Sequence, residues 1–344
     1  MRYKIFSTSR KTWDAMYSAI EAAQSSVYLE MYIFLNDTFP SHNFYDLLGR
    51  KAEQGVNVKI IIDAFGSATA PYAELERLRS RGAEVIVFKE WFRRTHRKVL
   101  VVDEKVGFLG GVNIGQQYIH WLDLHVMVTG RVVEGLIGSF AKSYRKSGGK
   151  DARLIKRLTR SRLAGTKTWI YDHIPGAKKN LLGSYYRDHI RSAAETIQII
   201  SPYFIPNPSI VIELERALAR GVKVEVILPE HSDPQVADLA HRIFVRALYP
   251  KGAEFFFTRS MMHAKALIID GKEAVIGSQN LDGLSYNYNM ETGVLFQRKD
   301  MIRDLQRIIV GWKREAFKFD PALDVPRWYD TLIGALVWLL QPVL

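Results

Sequence analysis

Two blocks of the sequence carry residue types suited to chemistry on a phosphate, in the same order and at the same spacing. They read HRKVLVVDEKVGFLGGVN from His96 and HAKALIIDGKEAVIGSQN from His263. A single His-x-Lys pair is usually an accidental match on a surface strand, but two full copies of His-x-Lys-x4-Asp favour a catalytic function. The candidate catalytic residues are His96, Lys98, Asp103, His263, Lys265 and Asp270.

An imidazole, an ammonium group and a carboxamide in one small volume suit a phosphate diester. The imidazole can attack phosphorus or move protons, and the ammonium supplies positive charge. Carboxamides and backbone N–H groups donate to the non-bridging oxygens, while glycines let a ligand approach the backbone. The residues expected to support the phosphate are Asn113, Asn280, Ser278 and Gly111. Such a set needs no metal and no cofactor, and neither is expected.

Strand geometry explains the spacing within each block. Side chains at i and i+2 of a strand point to one face, so the His and Lys of each pair project together. Asp270-Gly271 is a strong two-residue turn signal, and a hairpin that turns there places Asn280 alongside His263. A turn near Glu104 predicts the same geometry for the first block. The two aspartates of the signatures lie at these turns, where they are expected to fix the hairpins rather than to touch phosphate.

The rest of the chain contains two copies of the elements that would position these hairpins. VYLEMYIF at Val27 and QIISPYFIP at Gln198 share one apolar pattern, and GVNVKIIID at Gly55 and GVKVEVILP at Gly221 share another. Each copy is typical of a strand, a helix closed by glycine and a second strand. The pattern predicts an α/β fold of two duplicated lobes, each with a mainly parallel or mixed sheet flanked by helices. A pseudo-twofold axis would relate the lobes and place one shared active site between them.

Four parts are predicted along the chain. Residues 1–145 form the N-terminal lobe and residues 181–327 the C-terminal lobe, with a basic linker at 146–180 that holds turn signals. The apolar tail, 328–344, would form a helix of roughly 20 Å, which is short of the roughly 30 Å hydrocarbon core of a membrane. Two interpretations of this tail stay open. It is either a helix docked on the protein core or an interfacial anchor with Trp328 and Trp338 at the level of lipid headgroups.

With both blocks in place, the sequence resembles the phospholipase D superfamily, whose paired His-Lys-Asp signatures these are. Within it the sequence is most similar to bacterial cardiolipin synthases that lack N-terminal membrane spans. The likeness covers nearly the whole chain and includes LEMYIF at Leu29, DAFGS at Asp63, FRRTHRK at Phe92, SPYFIP at Ser201 and GSQNLD at Gly277. The resemblance implies a two-step exchange in which one histidine becomes a phosphohistidine and the other moves protons.

The resemblance also implies roles for individual residues. In related enzymes the N-terminal histidine is usually the nucleophile, so His96 is expected to attack phosphorus and His263 to act as acid and base. Asp123 and Glu291 lie in apolar strands where family members carry an acidic residue that orients a histidine. An ordinary charge on an edge strand is the alternative for either carboxylate.

Charge and composition indicate the kind of partner. A net charge of +12 indicates a polyanion, either nucleic acid or an anionic membrane. The absence of cysteine fits a reducing compartment, and the polar N-terminus does not resemble a signal peptide. These features predict a peripheral or monotopic protein at the cytoplasmic face of the cell membrane. The residues expected to contact lipid near the mouth of the site are Trp91, Phe92, Arg93 and Arg94.

Three functions follow in order of preference. The first is a phosphatidyltransferase that uses phosphatidylglycerol to make cardiolipin, because a water-poor entrance at a membrane favours a lipid hydroxyl over water. The second is a hydrolase or nuclease of the same superfamily, and the third is a non-catalytic protein that binds anionic membranes. The hydrophobic tail weighs against the second, and the two intact signatures weigh against the third. The expected partners are phosphatidylglycerol and the membrane surface, and nucleic acid is not expected.

Overall fold

The computed structural model describes residues 1–157, 167–175 and 181–324. The strands of its first half are β1 (Tyr3–Thr8), β2 (Ser26–Met31), β3 (Asn57–Asp63), β4 (Glu84–Phe88), β5 (Arg94–Thr95), β6 (Lys98–Val102), β7 (Val106–Gly110) and β8 (Leu122–Thr129). The helices there are α1 (Ser9–Glu21), α2 (Phe44–Glu53), α3 (Tyr72–Ser80), α4 (Val132–Lys146) and α5 (Ala152–Ile155). A short 3-10 helix, Gln116–Tyr118, precedes β8.

The second half contains a corresponding set of elements. Its strands are β9 (Thr168–His173), β10 (Thr196–Ile200), β11 (Lys223–Pro229), β12 (Glu254–Thr258), β13 (Ala266–Ile269), β14 (Glu273–Gly277), β15 (Asn289–Phe296) and β16 (Phe317–Lys318). Its helices are α6 (Leu181–Ser192), α7 (Pro208–Ala219), α8 (Val236–Leu248), α9 (Gly283–Asn287) and α10 (Lys299–Glu315). A 3-10 turn, Tyr249–Lys251, follows α8.

The two sheets share one strand order. The first runs β4-β3-β2-β6-β7-β8-β1, and the second contains the equivalent path β12-β11-β10-β13-β14-β15-β9. In each sheet the first three strands are parallel, and the signature hairpin joins them antiparallel. The predicted α/β fold of two duplicated lobes with mixed sheets is therefore confirmed. The parallel part is limited to three strands because a short hairpin turn reverses the chain direction.

Three apolar clusters hold these layers together. One lies between the sheets and takes side chains from both, such as Leu109, Leu124, Ile268 and Val294, as well as from α4 and α10. The other two lie on the outer faces, under α1 to α3 in the first lobe and under α6 to α8 in the second. Because the lobes share a core, burial of apolar surface holds the two hairpins against each other.

Glycines end the helices that lead into two central strands, as the repeated pattern predicts. Gly55 follows α2 and Gly221 follows α7, and both have a φ of +85°. Glycine adopts this left-handed conformation without the steric penalty of a side chain. The shared geometry brings β3 and β11 into the same position in their sheets.

The segment 146–180 is not a linker throughout, which corrects that part of the predicted organisation. It contains α5 and β9, and β9 pairs with β15 from Thr168 to His173. β9 takes the position in the second sheet that β1 takes in the first, so the second lobe begins inside the segment predicted to be a linker. Residues 158–166 and 176–180 lie outside the described residues. So does 325–344, which includes Trp328 and Trp338, and both interpretations of the tail stay predictions. Among the described helices, none combines the length and the apolar character needed to cross a bilayer.

Candidate active site

Each signature block forms the hairpin expected from its spacing. β6 pairs with β7 and β13 with β14, and the N–H of Gly277 donates to the carbonyl of Lys265 at 3.2 Å. The residues with left-handed φ at the turns are Asp103 (51°), Glu104 (53°), Asp270 (52°) and Gly271 (59°). Two consecutive residues of this kind make the turn type preferred in short hairpins.

The aspartates of the signatures lie at these turns and bind backbone. Asp103 accepts hydrogen bonds from the N–H groups of residues 24–26 at 2.7 to 3.1 Å. Asp270 accepts from those of residues 194–196 at 2.8 to 3.2 Å. Each carboxylate follows its signature lysine by five residues, which is about 16 Å along a strand. As expected for aspartates at the turns, both residues therefore join the hairpin to the loop before β2 or β10.

Each signature histidine is held by a carboxylate from the other lobe. The Nδ1 atom of His96 lies 3.0 Å from Oε1 of Glu291 in β15, and Nδ1 of His263 lies 3.0 Å from Oδ2 of Asp123 in β8. The backbone crosses in the same way, since each histidine N–H donates to the carbonyl of the residue just before its carboxylate. The site is therefore complete only when both lobes are together. With Nδ1 held, Nε2 of each ring is the atom left for chemistry.

The signature lysines are buried beside the histidines. Each ammonium donates to the backbone carbonyl of its own histidine, at 2.7 Å for Lys98. Burial lowers the pKa of Lys98 to about 7, against the opposing effect of Glu291, and lowers the pKa of Lys265 well below its usual value. Burial therefore disfavours the charged form of both lysines. An anionic phosphate in the site would restore that form by direct attraction.

Asn113 and Asn280 lie in the site region with one carboxamide atom unused. Both residues are buried, and within the described part of the chain neither Oδ1 atom has a hydrogen-bond partner. An unpaired buried oxygen carries a desolvation cost, which a donor on a ligand would remove. A hydroxyl group of a substrate is such a donor.

Ser278 and Gly111 occupy equivalent positions in the two blocks, and both lie against the carboxylates that hold the histidines. The hydroxyl of Ser278 donates to Oε2 of Glu291 and accepts from the backbone N–H of Thr292 at 3.1 Å. A Cβ atom at Gly111 would lie 2.2 Å from Oδ1 of Asp123, so only glycine leaves room for that side chain. The expectation that these two residues support the phosphate stays a prediction. Each of the two residues contacts the carboxylate that holds one of the signature histidines.

The two histidine–carboxylate pairs differ in electrostatics. Burial raises the pKa of Glu291, but the neighbouring His96, Lys98 and the Ser278 hydroxyl outweigh it, so the net pKa lies below the usual value. Burial raises the pKa of Asp123 to about 7, although Lys265 opposes this. Glu291 is therefore an ionised carboxylate at neutral pH, whereas Asp123 is partly protonated.

The imidazoles themselves are kept neutral by their surroundings. Burial lowers the pKa of His96 to about 4, while Glu291 acts in the opposite direction. Burial and the ammonium groups of Lys265 and Lys98 lower the pKa of His263 well below its usual value. Between about pH 4 and 7 the Asp123–His263 pair thus carries one proton more than a carboxylate beside a neutral imidazole, whereas the ring of His96 is a neutral imidazole with a single N–H. A neutral imidazole is the form that attacks phosphorus, and a protonated pair is the form that can donate.

Aromatic rings form the walls around the histidines. The ring centre of Tyr32 lies 4.7 Å from that of His96, and Trp121 and Tyr203 lie 5.6 and 6.5 Å from His263. Sequence reasoning did not select these residues as part of the site. The available signal was that the repeated strands end in the aromatic segments LEMYIF and SPYFIP.

Behind the first hairpin lies a buried ion network that the sequence did not reveal. Arg97 separates the signature His and Lys, so strand alternation points its side chain to the opposite face of β6, towards α4. Its guanidinium lies 3.5 Å from Glu30 and 3.6 Å from Asp172, and it donates to the carbonyl of Ser139 at 3.2 Å. Lys142 also binds Asp172, at 2.9 Å. The network joins β2, β6, α4 and β9, and so ties the lobes together directly beneath His96.

We expect Arg97→Met to lower the free energy of unfolding by about 3 to 5 kcal/mol, because it leaves the buried carboxylate of Glu30 without its cation and Asp172 with Lys142 alone. Urea unfolding of parent and variant measures the difference. The matched control is Lys272→Met, since Lys272 pairs with Glu195 at an exposed site with side chains 69% and 64% accessible. Loss of such an exposed pair should lower the free energy of unfolding far less, because solvent screens the two charges. Equal losses in the two variants would contradict a structural role for the network.

The residues predicted to contact lipid stand next to this site. Trp91 and Phe92 are 86% and 70% exposed, and they lie in the loop between β4 and β5 that leads directly into His96. The guanidinium of Arg94 lies 4.5 Å from the ring centre of Phe65. These residues therefore lie in an exposed loop that directly precedes the first signature.

The chain is similar to known proteins over most of its length. The chain matches the family described as "Cardiolipin synthase, PLD-like domain" over residues 16–133 and 186–311, and each range includes one signature block. It is 29% identical over 338 residues to the probable cardiolipin synthase YwiE of Bacillus subtilis (strain 168), which covers 92% of this chain and 67% of that protein. It is also 29% identical over 363 residues to the cardiolipin synthase of Listeria monocytogenes serotype 4b, covering 99% of this chain and 75% of the relative.

A solved structure shares the overall fold. The phosphatidylserine synthase of Haemophilus influenzae Rd KW20 superposes with a TM-score of 0.81 over 99% of this chain and 95% of that one, at 14% identity. At this identity the likeness concerns the arrangement of the two lobes alone.

Proposed function

The chain belongs to the cardiolipin synthase, PLD-like domain family, and on this premise we propose that it is a phosphatidyltransferase that makes cardiolipin from phosphatidylglycerol. The observation that carries the proposal is the crossed pairing of His96 with Glu291 and of His263 with Asp123. It holds the Nδ1 atoms of two imidazoles in one site and leaves each Nε2 atom for chemistry on a phosphate. Two buried lysines supply the positive charge that a phosphate diester requires.

In the first step, Nε2 of His96 attacks the phosphorus of a donor phosphatidylglycerol. A P–N bond forms and the bond from phosphorus to the oxygen of the headgroup glycerol breaks. The departing glycerol oxygen takes the proton held by the Asp123–His263 pair and leaves as glycerol. Lys98 and Lys265 stabilise the charge that builds up on the non-bridging oxygens.

In the second step, a free hydroxyl of a second phosphatidylglycerol attacks the phosphorus. His263 takes the hydroxyl proton, the new P–O bond forms and the P–N bond breaks, which returns His96 to its neutral form. The products are cardiolipin and glycerol, and no atom is left unaccounted for. The same His263 acts as acid in one direction and base in the next, as a reversible exchange demands.

The unequal carboxylates support this order of roles. An ionised Glu291 stabilises the positive charge that His96 acquires when it binds phosphorus. The Asp123–His263 pair, with its proton below about pH 7, is suited to donate. If His263 were the nucleophile, the proton of the Asp123–His263 pair would lie on the attacking histidine and not on the histidine that must act as the acid.

A lipid substrate agrees with the surroundings of the site. The relatives described above are cardiolipin synthases, and the first signature is preceded by exposed aromatics and arginines. We place the protein at a membrane surface rich in phosphatidylglycerol, at its cytoplasmic face. Chain composition alone would equally permit a nucleic acid, so the test includes one.

Purified protein mixed with vesicles of phosphatidylglycerol should form cardiolipin and glycerol in equal amounts. The reason is that each transfer releases one glycerol and consumes one lipid hydroxyl. Mass spectrometry of the lipids and an enzymatic glycerol assay measure both products. Phosphatidic acid as the main product would identify a hydrolase instead. Cleavage of single-stranded DNA without any lipid product would overturn the transferase proposal.

A further inference from the structure

Exposed aromatic side chains are concentrated at one edge of the first lobe. Within the described residues, six aromatic side chains are classed as exposed, and five of them belong to this group. They are Phe39 (71% exposed), Phe65 (65%), Tyr72 (73%), Trp91 (86%) and Phe92 (70%). We call these five residues the aromatic rim. Exposed aromatics that are scattered singly are unremarkable, but a group on one edge requires an explanation.

The topology places the rim around the entrance to the active site. Phe39 follows β2, Phe65 and Tyr72 follow β3, and the remaining two follow β4, so all five lie beyond the carboxyl ends of three adjacent parallel strands. The first signature starts at the same edge, because Lys98 at the start of β6 pairs with Met31 at the end of β2. The rim and His96 therefore lie at the same edge of the sheet, beyond the carboxyl ends of its parallel strands.

Direct contacts link the loops that carry the rim. Phe65 and Trp91 line a common cavity of about 530 Å³ together with Arg93 and Arg94. The rings of Trp91 and Phe92 are 6.2 Å apart. The carboxylate of Asp63, two residues before Phe65, accepts from the N–H of Thr95, the residue before His96, at 2.7 Å. A movement of the loop that carries Phe65 would therefore shift the backbone next to His96.

The second lobe provides an internal comparison. The equivalent loops after β11 and β12 contain residues 230–235 and 259–262, which include no aromatic residue. After β10, Phe204 is buried and Tyr203 is part of the site wall. Both lobes need stable loops at this edge, so a purely structural role would call for similar residues in both. Among the residues that the structure describes, such a group of exposed aromatics occurs in the first lobe only.

Charge identifies the partner. Lys89, Arg93 and Arg94 lie in the same loop as the exposed indole, and the acidic neighbour Glu90 is already bound by Lys146 at 3.1 Å and by Arg93 at 3.4 Å. Aromatic rings with adjacent cations are typical of surfaces that lie in the headgroup region of a bilayer. Trp91 and Phe92 were expected to contact lipid from sequence, and the structure adds a ring of residues from two further loops.

We propose that the aromatic rim and its cations form a docking surface for an anionic lipid bilayer, which holds the entrance of the active site against the headgroups. The inference rests on the proposed function for the identity of the lipid substrate, whereas vesicle binding tests the docking surface without any turnover. A docked rim lets a donor lipid reach the two histidines without leaving the membrane. It also limits the access of water to the phosphorylated histidine.

The test uses the full chain with Phe65→Ser, Tyr72→Ser and Trp91→Ser combined. Co-sedimentation with vesicles of equal parts phosphatidylglycerol and phosphatidylcholine measures binding without any turnover. We expect the apparent Kd to rise at least tenfold. The matched control is Ile212→Ser with Val310→Ser, which removes exposed apolar side chains (46% and 48%) from the second lobe. This control should bind like the parent, and circular dichroism checks that all variants are folded.

A second measurement separates docking from catalysis. The ratio of turnover on vesicles to turnover on dispersed dihexanoyl phosphatidylglycerol should fall at least tenfold in the triple variant. Unchanged vesicle binding in that variant, or an equal loss in the control, would overturn the docking surface. If the triple variant loses binding while no protein form makes cardiolipin, the docking surface stands and the transferase function fails.

Discussion

Replacing His263 with alanine should leave an enzyme that reacts once and stops, whereas replacing His96 should abolish the reaction. We expect this difference to be clearest with a phosphatidyl ester of p-nitrophenol, because that leaving group departs without a general acid. The His263→Ala protein should release about one p-nitrophenol per active site and then stall, since no base activates the acceptor. With phosphatidylglycerol itself, loss of the acid and base should lower turnover by about 10² to 10⁴-fold.

The covalent species gives an independent readout. Lipid labelled in its phosphate should transfer the label to the His263→Ala protein, and acid should release it, as expected for a P–N bond. The His96→Ala protein should carry no label. Label on the His96 variant alone would reverse the assigned roles. Label on neither variant, with the parent also unlabelled after rapid quenching, would indicate direct displacement without a phosphohistidine.

The hairpins were predictable from sequence because all the relevant information is local. The i, i+2 spacing of His96 and Lys98 fixes a shared strand face, and Asp270-Gly271 fixes the turn. Strand alternation then sets the register without reference to the rest of the chain. The repeated strand-helix-strand segments supply the frame in the same way, and the α/β class with duplicated lobes follows from them.

The pairing of each histidine with a carboxylate of the other lobe could not be predicted, because it depends on how one lobe packs on the other. Asp123 and Glu291 stand at matched distances after their own signatures, and nothing in that spacing shows that each serves the opposite histidine. The same holds for Arg97, whose partners Glu30 and Asp172 come from distant parts of the chain. Contacts across a shared core are set by three-dimensional packing, which a single sequence does not encode in any short pattern.

Ser278 and Gly111 show a related limit. Both stand next to the predicted phosphate site, and residue type alone favoured contact with a ligand. In the structure the hydroxyl of Ser278 donates to Glu291, and the carboxylate of Asp123 occupies the space beside Gly111. A polar residue near a charged site often holds another residue in place, and the three-dimensional contacts distinguish this role from ligand binding.

The crossed carboxylates lead to a second prediction of large effect. Glu291→Gln should lower the rate of phosphoenzyme formation by about 10³ to 10⁴-fold, the size of loss seen when a histidine nucleophile or base loses its ionised partner. The glutamine cannot stabilise the positive charge on His96, and its amide can hold the ring in the wrong tautomer. The p-nitrophenol burst measures this step directly. Glu225→Gln is the matched control, because Glu225 is a buried carboxylate paired with Lys223 and Lys313 away from the site.

Asp123→Asn should affect the proton transfers made by His263, and the pH dependence of the reaction, rather than the attack by His96. Because the pKa of Asp123 is raised to about 7, its pair with His263 holds a proton below that pH and loses it above. The kcat/KM for phosphatidylglycerol should therefore fall as the pH rises through about 7 in the parent and in Glu291→Gln. It should lose this dependence in Asp123→Asn, which keeps a nearly normal p-nitrophenol burst. If instead Asp123→Asn abolishes the burst and Glu291→Gln spares it, the nucleophile is His263, and the two lobes have exchanged the roles assigned here.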